Sequence, residues 1–100
     1  MEKDVRTVVV GFNNFAATIY SATFNEFAES VRKINRLRDE NVFKLQAAKY
    51  IDTLKHQLEK QVKKILEANK SSEFLKQLNF ELPMRINYYV QEFRRKSNAM

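Results

Sequence analysis

Residues 7–25, TVVVGFNNFAATIYSATFN, contain no charged side chain, although 30% of the chain is Asp, Glu, Lys or Arg. An uncharged stretch of that length has to be covered, either by the rest of the chain or by a partner. Placed on a helix, Val5, Val8, Phe12, Phe15 and Ile19 recur at spacings of three and four and fall in one stripe. Tyr20, Phe24, Phe27, Val31 and Ile34 continue it after a shift of about one position, which rotates the seam onto a neighbouring face. The spacing predicts one long amphipathic helix over residues 4–37.

A competing local signal lies at the start. Val8, Val9 and Val10 are β-branched and Gly11, Asn13 and Asn14 follow, a pattern that also suits a short strand over 5–10 and a helix capped at Asn13 or Asn14. A lone strand needs a partner, and the sequence offers no second candidate. A membrane span needs about 20 largely apolar residues. Here Asn13, Asn14, Ser21, Asn25 and three threonines interrupt the stretch, and the apolar residues keep to one side. The run VVVGF is also shorter than the roughly 7–15 apolar residues of a signal peptide, so no targeting segment is read and the expected compartment is the cytoplasm.

Working outward, 100 residues make one domain with one modest core, and 44% hydrophobic content with eight Phe and four Tyr is enough to fill it. One Gly and one Pro leave little for β-hairpins or phosphate-cradling loops, which points to an all-α class. The absence of cysteine removes disulfides, thiolate metal sites and thiol catalysis together. The net charge of +6 is spread evenly, since residues 1–38, 39–70 and 71–100 each carry an excess of two positive charges. An even excess is a weaker nucleic-acid signal than a patch, although folding can gather scattered charges onto one face.

The polar run of residues 35–41, NRLRDEN, is read as a turn with Asp39 or Asn41 capping the next helix. The alternative, a helix continuing through it, would exceed about 90 Å at 1.5 Å per residue and would have to dimerise along its length. Helix two is expected over 42–68, with an apolar edge of Ile51, Leu54, Leu58 and Val62. Residues 69–72, NKSS, break the chain again. A short helix over 73–78 is then expected, with 79–82 extended because the residue before Pro83 is pushed out of the α region. A last helix should run from Pro83 to about Lys96, leaving a frayed tail over 97–100. The predicted fold is a small antiparallel helical bundle, a single domain over 1–96, built on a long two-helix hairpin plus the short helix and the C-terminal helix.

Catalytic and metal chemistry find little support. Asp52, His56 and Glu59 share a helical face, a spacing that could grip a metal, but the face is flanked by Lys49, Lys60 and Lys63 and reads as solvated. There is no Gly-flanked serine elbow and one histidine to act as base, so neither an enzyme nor a cofactor is expected. The leading expectation is a protein-protein interaction module, working with a protein partner or by self-association through an apolar and aromatic helix face. Phe12, Phe15, Tyr20, Tyr88 and Phe93 are the expected contacts, because aromatics carry disproportionate binding energy. The alternative is a nucleic-acid-binding regulator. It would use the cations among the aromatics of the last helix, Arg85, Arg94, Arg95 and Lys96, joined by Lys60, Lys63 and Lys64.

Overall fold

A computed structural model describes residues 4–35, 37–69 and 71–100. Three long helices follow one another, α1 (Val5–Val31), α2 (Glu40–Glu67) and α3 (Ser72–Asn98), and each packs against both of the others. Together they form a rod of 55 × 19 × 17 Å.

α1 begins at the stretch where a strand competed. The Asp4 carboxylate accepts the Thr7 N–H at 2.7 Å, which satisfies one of the unpaired donors of the first turn. From there Val9, Phe12, Ala16, Thr23, Phe27 and Val31 are buried at helical spacing, while Val10 points outward. Burial of that face outweighs the small propensity cost of three β-branched residues. Gly11 has no positive φ and no neighbour within 4 Å of where a Cβ would stand, so it is an ordinary helical position and no break.

The helix ends at Val31, earlier than Leu37. Without Gly or Pro, the turn is made by Asn35: its side-chain oxygen accepts the N–H groups of Leu37 (3.1 Å) and Arg38 (3.4 Å), and its backbone carbonyl accepts that of Asp39 (2.7 Å). Asp39 then occupies the N-cap of α2, but its side chain makes no capping bond; Asn41 lies inside the helix. The turn expected over 35–41 is therefore present, and α2 starts two residues before Val42.

The larger correction concerns the C-terminal third. No extended segment separates a short helix from a long one; a single helix runs from Ser72 through Pro83 to Asn98. Ser71 caps it, its hydroxyl accepting the Phe74 N–H at 3.4 Å. Proline inside a helix costs about 3 kcal/mol, because it removes one hydrogen bond and its ring crowds the preceding turn. Leu78 and Leu82, on either side of that turn, are wholly buried, and each contributes about 1.5–3 kcal/mol. Two such leucines, with Ile86 and Val90 behind them, match or exceed the penalty, so the helix continues. Ser97, assigned from sequence to a loose tail, is a buried helical residue whose hydroxyl donates to the Arg94 carbonyl at 3.0 Å.

Core aromatics gather around Phe27, and Phe12 is a further buried ring nearer the start of α1. Phe27 meets Phe43 and Tyr50 of α2 and Phe93 of α3, with ring centroids 5.3–6.0 Å apart. Tyr20 and Phe24 add edge-on contacts to Phe93. Leu54, Leu58, Leu78 and Leu82 are wholly buried.

Candidate interaction surface

Of the five aromatics expected to contact a partner, the bundle withdraws two. Phe12 and Phe93 are 2% and 0% exposed, so neither can meet another molecule while the helices stay together. Their aromatic character is used inside, where each large ring removes much apolar area from water. Phe15 and Tyr20 are half-buried and packed against the core. The Tyr20 hydroxyl is enclosed and has no hydrogen-bond partner among the described residues, and burial, with the nearby Glu92 charge, pushes its pKa up. Tyr89 differs: its hydroxyl donates to the Asn13 carbonyl at 3.3 Å and ties α3 to α1.

Tyr88 is the expected contact that does face solvent, and two unpredicted residues accompany it. Phe80, Met84 and Tyr88 stand at i, i+4 and i+8 on α3 and are each between 55% and 67% exposed. The buried residues of α3, Leu78, Leu82, Ile86, Val90 and Phe93, take the opposite side. One helix thus carries two apolar stripes, of which the bundle covers one. Sequence reasoning missed Phe80 and Met84 because it broke the helix at Pro83; helical phase carried through the proline would have found them.

The cations of the alternative are exposed but do not form one uninterrupted face. Lys63 and Arg94 line a groove of about 800 Å³ between α2 and α3, walled by Ile51, Val62 and Ile86, and Asp52, Glu59 and Glu67 line it as well. Three carboxylates against Lys55, Lys63 and Arg94 leave it without net charge. Arg95 is engaged by Glu92, Nη2 to Oε2 at 2.9 Å, and that guanidinium holds the Glu92 carboxyl below its ordinary range. Lys96 sits over the rings of Tyr20 and Phe24, 5.6 and 5.3 Å from their centroids. Arg85, Lys60 and Lys64 are exposed elsewhere on α3 and α2. Among the described residues no group of three or more acidic, His or Cys side chains could hold a metal, so Asp52, His56 and Glu59 do not converge as one. No described helix is long and apolar enough to cross a membrane.

Comparison with family models, with curated proteins and with solved structures gives no match for this chain.

Proposed function

We propose that the protein is a non-enzymatic interaction module whose working surface is the outer stripe of α3, Phe80, Met84 and Tyr88, which receives an apolar helix face of a protein partner. The observation that carries this reading is the double-sided character of α3. A helix with one buried stripe needs only one apolar face, and a second at regular i+4 spacing has the register of a helix-in-groove or helix-on-helix contact. Phe and Tyr supply large, stiff contact area, and Met adapts its shape between them. The long hairpin of α1 and α2, running antiparallel with α3 laid along it, is the scaffold in this reading; the Phe27 contacts to Phe43, Tyr50 and Phe93 support that arrangement. It holds the inner side of α3 so that the other can be offered.

Capture of partners on the immobilised protein from a lysate of its source, with nuclease and at high salt, tests the reading. The expected result is a defined protein that survives both treatments and is lost with Phe80→Glu or Tyr88→Glu. A captured protein indifferent to both substitutions would place the interface elsewhere and end this assignment. Retention of nucleic acid alone, released by salt and by Arg94→Glu with Arg95→Glu, would replace it with the nucleic-acid reading.

A further inference from the structure

The even charge of the sequence is not even in the fold. Because Phe27 touches Phe43, Tyr50 and Phe93, one end of the rod is built from α1 beyond residue 27, the turn, α2 up to residue 50 and α3 beyond residue 93. Among the described residues that end, together with Glu92, the ion-pair partner of Arg95, holds eight Lys and Arg against four Asp and Glu, whereas the rest holds seven against seven. Among the described residues, the even excess of the sequence therefore divides into one end at +4 and a neutral remainder.

That end is also where apolar side chains protrude. Leu37, in the turn, is 98% exposed, and Val42 and Leu45 follow on the outward side of α2, with Lys49 next at helical spacing. Three of the four acidic groups there are matched locally, Glu29 by Arg32 at 3.5 Å, Glu40 by Lys44 at 3.4 Å and Glu92 by Arg95 at 2.9 Å. Lys33, Arg38 and Arg94 enter no ion pair among the described residues.

We propose that this end docks on an anionic bilayer surface, with Leu37, Val42 and Leu45 entering the headgroup–acyl boundary while Lys33, Arg38 and Lys49 meet lipid phosphates. Aliphatic side chains set next to cations, Leu37 beside Arg38 and Leu45 one turn before Lys49, match the two layers of such a surface, apolar below and negative above. A nucleic acid would reward the cations but not the leucines. It would also seek exposed rings for stacking, and at this end Phe27, Phe43 and Phe93 are buried and Tyr50 is half-buried. The proposal concerns a different surface from the α3 stripe and stands independently of it.

Flotation with vesicles of phosphatidylcholine alone, and of phosphatidylcholine with one third phosphatidylglycerol, decides the matter. The protein is expected to float with the anionic vesicles and to stay down with the neutral ones. Removing charge by Lys33→Gln with Arg38→Gln should weaken binding about fivefold per cation. Leu37→Ser and Leu45→Ser, both at exposed positions and checked for unchanged helical circular dichroism, should each weaken it about tenfold. Phe80→Ser should leave it unchanged. Failure of the folded protein to float with anionic vesicles overturns the proposal, and so does flotation that depends on the cations but ignores both leucines. Tighter binding to an oligonucleotide than to vesicles, unaffected by the leucine changes, would assign the end to nucleic acid instead.

Discussion

Two apolar sets on this small molecule share a composition and have opposite fates. Phe24, Phe27, Phe93 and their neighbours turn inward and cover one another; Phe80, Met84 and Tyr88 turn outward and are each more than half exposed. Residue type does not separate them. What does is helical phase relative to the two other helices, so an aromatic is a contact candidate only once the helix carrying it has been placed.

The largest test of that distinction is on the inward side. Phe27→Ala or Phe93→Ala should destabilise the fold by about 3–5 kcal/mol in chemical denaturation, through lost burial and the cavity left among the surrounding rings. A loss below about 1 kcal/mol would show that the aromatic level is loosely packed and that the inward set is no true core. At the boundary between the sets, the two half-buried tyrosines should part company. Tyr89→Phe removes the bond to the Asn13 carbonyl and should cost about 0.5–1.5 kcal/mol, whereas Tyr20→Phe removes a hydroxyl with no partner and should cost nothing or stabilise.

Gly11 probes the outward face of α1. Its helical backbone and the open space around it predict that Gly11→Ala stabilises by about 0.5–1 kcal/mol, and a loss instead would mean that close approach to another chain requires the glycine. Phe80→Ser and Met84→Ser, on the outward stripe, should change stability by no more than about 0.5 kcal/mol, in contrast to the inward rings.

The smallest effect is electrostatic. Asp4, through the hydrogen bonds from Thr7, and Glu92, through that from Arg95, are held below the ordinary carboxylate range. Both therefore contribute stability that is present above the unfolded-state pKa and is lost as pH falls through the folded values. Melting temperature should decline slightly on acidification below the usual carboxylate range, and Asp4→Asn should flatten part of that decline.

Much of the fold is legible in the sequence. Charge-free residues 7–25 mark the helix that the others cover, and the polar run around Asn35 marks the first turn, where the side chain of Asn35 does what a glycine was not present to do. α3 was misread for an energetic reason. Local rules give Pro83 and its predecessor a definite cost, but the compensating burial of Leu78 and Leu82 comes from α1 and α2 and is invisible to a local window. The candidate surface inherited that error, since breaking the helix at Pro83 separated Phe80 from Met84 and Tyr88. The charge pattern was hidden differently: equal excesses in three segments say nothing about which ends of those segments meet.

The placement of the two surfaces along the rod has a mechanical consequence. Phe80 lies beside Val5, near the end of the 55 Å axis opposite the cationic turn. A body with its charge at one tip experiences a torque in the field of a charged surface within roughly a Debye length, about 10 Å at 0.1 M salt, and so arrives already oriented. Under the docking proposed above, the tip that lands is not the part of the molecule that carries Phe80, and the rod would hold its aromatic flank clear of whatever anchors its base.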